Sequence, residues 1–241
     1  MVRYAHLSTG NYNAKTARLY TDLSFLTADA KMTSDIEQVF VHLASQSPFP
    51  KLHHLWMAPF YLHDHLVDAV ARVGKAAQMG EHARIVLKMN SLTDERLAQA
   101  LIDAGKQGAK IDVIVRGACI LPSQVPGHCE NIVVRSIIGR FLEHSRVFYF
   151  AHGEIESLYL SSADWMNRNM LRRIEIAWPV NDPVIRQRII DECLLAYMGD
   201  TQDAWILGGD GTYHEIKNSV PKGQITHSAQ DALMTRYRAK K

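Results

Sequence analysis

Short apolar runs with the length and composition of buried strands alternate along this chain with stretches whose apolar positions recur every three or four residues. Residues 2–6 read as a strand entering a turn at Ser8, Thr9, Gly10 and Asn11, where Gly10 supplies backbone geometry that other residues resist. Ser34, with Glu37 three residues on, has the spacing of a capping box and predicts a helix whose apolar positions are Ile36, Val39, Phe40 and Leu43. Prolines between residues 46 and 59 break that pattern and mark a candidate domain junction. Leu62, Leu66, Val70 and Val73 then predict a helix stopped near Gly80, followed by a buried-type strand over 84–90. Thr93 or Asp94 caps a helix carrying Leu97, Leu101 and Ile102, and 111–115 is the next strand. Together these predict a right-handed βαβ unit. A loop at 121–130 precedes a strand at 132–137. The run FLEHSRVFYF, the break AHGEIE and the run SLYLSSADWMNRN, over 141–169, predict a hairpin. A last strand is expected at 174–180. Asp182 and Pro183 open a helix with Ile185, Ile189, Ile190 and Leu194 inside, and the polar stretch beyond Gly208 reads as a peripheral tail.

Composition narrows the class. The chain has 241 residues, 47% hydrophobic and 22% charged, which suits a globular protein with a proper core. A net charge of +2 announces neither nucleic acid nor membrane, so any polyanion site must gather its cations locally. No apolar run reaches the length of a membrane span, and the start lacks the apolar core of a signal peptide. Three cysteines without CxxC spacing fit free thiols in a reducing cytoplasm, with peripheral membrane association left open.

The chemistry concentrates in the hairpin. His144 and Arg146, two apart at the start of an alternating run, predict one face of a strand. Ser161, Ser162 and Asp164 end the other arm. A His able to act as nucleophile or acid/base, a forked cation and phosphate-binding hydroxyls make a candidate phosphate site; the plain alternative is a half-buried hairpin with a hydrogen-bonded His. Arg116 stands at the C-terminal end of a strand, where ligands of such sheets gather. Glu143 alternates away from His144. His53, His54, His63 and His65 have no metal-ligand spacing and read as solvated. An internal repeat sharpens the picture: Ser8 to Tyr12 resembles Ser161 to Trp165, with two hydroxyl residues, a small residue, Asn or Asp, and an aromatic. In the later copy His144 precedes Ser161 by 17 residues (161 minus 144). The same spacing puts the earlier copy's His near position −9 (8 minus 17), before residue 1.

His-x-Lys/Arg followed by a Ser-rich segment ending in Asn or Asp, in two copies, resembles the phospholipase D superfamily. The segments at 3–29, 88–94, 111–119, 135–150 and 160–180 resemble polyphosphate kinases more closely still. The resemblance implies an α/β fold: a phospholipase D-like mixed sheet flanked by helices, with one complete repeat (55–207), the tail of a preceding one (1–54) and the polar tail 208–241. It implies transfer of the ATP γ-phosphate to inorganic polyphosphate through a phosphohistidine, with release of ADP. His144, Arg146 and, in a supporting role, His6 are then the catalytic group; Tyr20, Arg116, His144, Ser162 and Asp164 are the nucleotide- and phosphate-binding group. Because the phosphorylated His belongs to the earlier copy, His144 is expected to be its partner, and the chain to be inactive or feeble without the N-terminal part of the same enzyme. Mg²⁺ is implied as cofactor with ligands upstream of this chain, and a homo-oligomer is expected. The family's Arg after the Ala-Pro-Phe segment is missing from APFYLHDH. Two other readings stay open: a phosphodiesterase completed by dimerisation, and a non-catalytic polyphosphate-binding module.

Overall fold

A computed structural model describes residues 2–45, 48–49 and 51–238. Its N-terminal region holds β1 (Ala5–Ser8), β2 (Tyr20–Thr21), β3 (Ser24–Thr27) and α1 (Ala30–Ser45). Then come β4 (Trp56–Ala58), α2 (Leu62–Gln78), β5 (Ala83–Met89), α3 (Glu95–Lys106), β6 (Lys110–Val115), β7 (Ile132–Ile137), β8 (Leu142–Glu143), β9 (Arg146–His152) and β10 (Ile155–Ser161). The rest is α4 (Asn167–Leu171), β11 (Glu175–Pro179), α5 (Pro183–Ile189), α6 (Ala196–Met198), β12 (Ala204–Leu207), β13 (Tyr213–Glu215) and α7 (Ala229–Tyr237).

Among the described residues nine strands form one mixed sheet in the order β13-β12-β7-β6-β5-β9-β10-β11-β4. β5, β6 and β7 run parallel, and the β9–β10 hairpin and its neighbours run antiparallel to the strands beside them. Both faces are covered, which is why the central strands read as continuous apolar runs. Ile85, Leu87, Phe148 and Phe150 pack with α2 and α3, while Val86 and Val147 face a second cluster containing Met32, Ile189 and Leu194. Asp94 caps α3 by accepting from Leu97 N (3.0 Å), and Asp182 caps α5 by accepting from Val184 N and Ile185 N (2.9 Å each).

Several expectations are corrected. The helix predicted to open at Ser34 starts a turn earlier, where Asp29 Oδ1 accepts from Lys31 N and Met32 N. Asp35, inside the supposed capping box, is buried and instead accepts the backbone N–H groups of His53, His54 and Leu55. Phe40 and Leu43, read as inward, are exposed. The predicted junction at 46–59 lies partly outside the described residues. The strand at 174–180 is not the last, since β12 and β13 follow and extend the sheet beyond β7. Nor is the polar stretch beyond Gly208 all peripheral: α7 starts with Ala229 and Gln230 buried. Few apolar residues mark that stretch, so its anchoring by polar contacts left no periodic signal.

Candidate functional site

The β9–β10 hairpin pairs Arg146 with Ser161, so both ends of the hairpin open on one edge of the sheet. The two-stranded β1–β3 sheet delivers Thr9, Gly10 and Asn11 to the same place. Between them lies a cavity of ≈ 350 Å³ bordered by the ends of both repeat copies. Cation charge is concentrated there as Arg116, Arg146, Arg168 and Arg173, although the chain as a whole is nearly neutral.

His144 was expected on a strand with Arg146; it lies instead in the two-residue break between β8 and β9. It is 7% exposed. Its Nδ1 is 2.9 and 3.0 Å from the two carboxylate oxygens of Asp22, and its Nε2 is 3.4 Å from Arg146 Nη1. A guanidinium only donates and a carboxylate only accepts, so this network assigns the ring proton to Nδ1 and leaves the Nε2 lone pair on the Arg146 side. Tyr20 lies against the ring, with centroids 4.8 Å apart. The short parallel pairing of β2 with β8 brings Tyr20 and Asp22 here from more than a hundred residues away. Asp22 is in turn fixed by Thr9 Oγ1, which donates to it at 2.9 Å. A Cβ on Gly10 would fall 2.1 Å from its carboxylate, so the glycine leaves the space Asp22 occupies.

Arg146 was expected to fork onto phosphate. Its fork is already engaged: Nη2 and Nε donate to Asp164 at 2.9 and 3.3 Å, and Nη1 donates to the Thr9 carbonyl at 2.6 Å. Asp164 also accepts from Asn90 N (2.8 Å) and Ser91 N (3.3 Å). Burial pushes the Asp164 carboxyl up, but the Arg146 hydrogen bond and charge and the Asn90 contacts outweigh it and hold it below the usual carboxylate range. Arg146 thus braces the two repeat copies, pairing with Asp164 of the later one and donating to the Thr9 carbonyl of the earlier one. The Ser162 hydroxyl is engaged too, donating to Glu175 and accepting from Ile176 N.

Arg116 is the fork left available. Its Nε donates to Asn90 Oδ1 (2.9 Å) and to the Glu143 carbonyl (2.6 Å), while its two terminal amino groups have no hydrogen-bond partner among the described residues. Arg168 and Arg173 border the cavity from the exposed side; Arg172 does not. His6 is not brought to this group. It is exposed, with Nδ1 2.8 Å from the Tyr12 hydroxyl, and borders a separate apolar cleft. The solvated reading fails for His63, whose Nε2 sits 2.9 Å from Asp94 Oδ1 behind the α3 cap. Asp22, Asn90 and Thr9 were missed by sequence reasoning. For Asp22 the available signal was its alternation with Tyr20, which puts both on one side of an extended segment.

Among the described residues no group of three or more His, Cys, Asp and Glu side chains is arranged to hold a metal ion. The carboxylates nearest the cavity, Asp164 and Glu175, are committed to Arg146, Ser162 and Asn169. The described residues therefore do not fit a magnesium site of their own. No helix among the described residues is long and apolar enough to cross a membrane.

Comparison with known proteins agrees with this architecture. A family model described as polyphosphate kinase C-terminal domain 2 matches residues 55–230, and one described as polyphosphate kinase C-terminal domain 1 matches residues 1–48. The polyphosphate kinases of Paraburkholderia phytofirmans and Burkholderia vietnamiensis are 47% and 45% identical over 235 residues, covering 98% of this chain and 34% of each relative. The crystal structure of polyphosphate kinase from Porphyromonas gingivalis superposes with a TM-score of 0.88 at 33% identity, covering 97% of this chain and 35% of that one. The chain thus spans about a third of the length of the relatives it matches. Two adjoining family models and a shared architecture over nearly its whole length place this chain in the polyphosphate kinase family, in the C-terminal region of its members.

Proposed function

We propose that this chain supplies one half of the phosphoryl-transfer site of a polyphosphate kinase, which passes the γ-phosphate of ATP reversibly to inorganic polyphosphate through a phosphohistidine. The observation that carries this reading is the chain Asp22–His144–Arg146 beside a cluster of arginines, in one cavity bordered by both repeat copies. In this scheme a histidine outside the chain attacks the γ-phosphorus, a P–N bond forms, and the bond to the ADP oxygen breaks. A terminal polyphosphate oxygen then displaces that histidine, and the polymer grows by one unit. Phosphoryl transfer has little covalent work for the protein beyond positioning and neutralising charge. Arg116 meets the phosphates with its unengaged amino groups, and Arg168 and Arg173 attract the polyanion. His144 is the acid/base partner: its Nε2 takes the proton that the attacking imidazole releases, and Asp22 stabilises the resulting imidazolium. Arg146, held by Asp164, keeps the two repeat copies in register through the Thr9 carbonyl.

The first consequence is binding without turnover. Calorimetric titration with inorganic triphosphate at low salt is expected to show saturable binding that weakens as ionic strength rises. Arg116→Ala should weaken it about tenfold, the scale of one lost charged hydrogen-bonding partner. Equal affinity in the wild type and Arg116→Ala would remove Arg116 from the phosphate site.

A further inference from the structure

The segment Phe141, Leu142, Glu143 and His144 is held from two sides. On one side it pairs with β2: Leu142 N donates to the Leu19 carbonyl at 2.8 Å and His144 N to the Thr21 carbonyl at 3.2 Å. Alternate residues of an extended segment turn their main-chain groups to opposite edges, so Phe141 and Glu143 face the other way. There the partner is one side chain from near the end of the sequence. Gln230 of α7 accepts from Phe141 N at 2.8 Å and donates to the Phe141 carbonyl at 2.9 Å, and its Nε2 also donates to Glu143 Oε1. This one amide makes the pair of bonds that a neighbouring strand would make. It is 3% exposed. Gly139 leaves room for it, since a Cβ there would fall 2.6 Å from Gln230 Oε1. The helix is itself anchored where it starts. Ser228 Oγ accepts from Asp231 N (3.3 Å) and donates to Asp203 Oδ2 (2.7 Å), and Ala229 N donates to Asp200 Oδ2 (2.7 Å). Ala229 is buried with Ile137 and Tyr197, so Gln230 reaches the segment from a fixed post.

We infer that Gln230 is a positioning residue for the phosphate site, setting Arg116 and His144 through the backbone that its amide holds. The inference rests on the phosphoryl-transfer reading and adds to it the element that places two of its groups. Gln230 does not border the arginine cavity, so its effect on phosphate passes through the residues it binds. The Glu143 carbonyl, on the edge that Gln230 serves, receives Arg116 Nε at 2.6 Å. His144 follows directly, with its ring held by Asp22. Without the amide, the Phe141 main-chain groups and one Glu143 oxygen lose their partner in a buried place, which costs stability. The segment relaxes to recover partners and carries the Glu143 carbonyl and His144 with it. A shift of about 1 Å is enough to spoil transfer geometry.

The test is a double-substitution cycle on this chain, with inorganic triphosphate titrated calorimetrically into the wild type, Arg116→Ala, Gln230→Met and the double variant. Gln230→Met is close in volume and removes every bond of the amide. Gly139→Ala is a second route to the same end: its methyl group meets the tip of a flexible side chain, so the chain should fold with the amide pushed off Phe141. Thermal melts show which variants are folded at the titration temperature. Gln230→Met or Gly139→Ala should weaken triphosphate binding about fivefold, and Arg116→Ala added to either should cost about a further twofold instead of about tenfold. A role in stability alone lowers the melting temperature but leaves affinity unchanged, or leaves the full effect of Arg116→Ala in place. Either result overturns the positioning role. Nitrogen-15 spectra of the His144 ring, assigned against His144→Ala, give a second readout. The wild type should carry the ring proton on Nδ1, and Gln230→Met and Gly139→Ala should show a mixture of tautomers. If triphosphate does not bind the wild type, the phosphate reading falls and the spectra decide the rest. A His144 signal moved by both substitutions then upholds Gln230 as its positioning residue, and an unmoved one overturns it.

Discussion

His144→Ala, made in a chimera where this chain replaces the matching third of the Paraburkholderia phytofirmans relative, is expected to lower ATP-dependent polymer synthesis by about 10²–10⁴-fold, the range of a lost acid/base group. The ring is buried beside the cavity, and its tautomer is fixed from one side by Asp22 and from the other by Arg146. Asp22→Asn tests that fixing separately. An amide can present its N–H to Nδ1, which would move the ring proton to Nε2, away from the state suited to accepting a proton. A smaller fall in turnover is expected, with little change in ATP affinity, because neither Asp22 oxygen reaches for the substrate in this scheme. Gly10→Ala should resemble Asp22→Asn, since its methyl group would displace the Asp22 carboxylate. Turnover in the folded His144→Ala chimera equal to that of the unsubstituted chimera would remove His144 from the mechanism.

The largest effect on stability is expected from Lys88→Met. Lys88 points to the second face of β5, in an otherwise apolar strand, and its Nζ meets Glu143 Oε2 at 2.6 Å. The two side chains are 2% and 3% exposed, and Nζ also lies 3.5 Å from the centroid of the Tyr197 ring. Removing the lysine leaves a buried carboxylate uncompensated, which costs about 3–5 kcal/mol. In a chain of this size that corresponds to a fall in Tm on the order of 10 °C. Lys88→Met combined with Glu143→Gln should recover part of the loss, because the second change removes the stranded charge. Burial alone pushes the Glu143 carboxyl up, but the Lys88 charge and the hydrogen bonds from Lys88, Gln230 and Thr21 together hold it below the usual range. A depressed carboxylate contributes stability in full above its unfolded value of about 4.3 and loses it as pH falls through the lower folded value. Without Lys88 that depression is lost, so acid unfolding of Lys88→Met should begin at higher pH than in the wild type. A melting temperature unchanged by Lys88→Met would show that the pair is not closed in solution. The pair also matters to the site, because the Glu143 carbonyl receives the Arg116 Nε and the next residue is His144.

Local patterns in the sequence carried most of the architecture. The strands at 84–90, 111–115 and 132–137, the α3 cap at Asp94 and the hairpin at 141–169 all have short-range causes: a buried apolar run, one capping side chain, a glycine turn. The cavity arginines and His144 were legible because each stands at the end of such an element. What the sequence concealed is long-range and polar. Asp22 reaches His144 only through a two-residue strand pairing, and Gln230 reaches Phe141 and Glu143 from a stretch with almost no apolar signal. The roles of Arg146 and Ser162 depend on which of several nearby carboxylates claims each donor, a competition that spacing cannot resolve. His6 illustrates the converse, since the family resemblance put it with the catalytic group and its side chain turns to Tyr12 instead.

In the proposed scheme this chain completes a phosphoryl-transfer site whose other histidine lies outside it. This scheme is tested most directly by supplying the chimera, and separately this chain alone, with γ-labelled ATP, Mg²⁺ and short polyphosphate, and measuring labelled polymer. Elongation by the chimera, abolished by His144→Ala, is expected, and none by the chain alone. A folded chimera that binds ATP and makes no polymer, or a chain that elongates polymer unaided, would contradict the scheme.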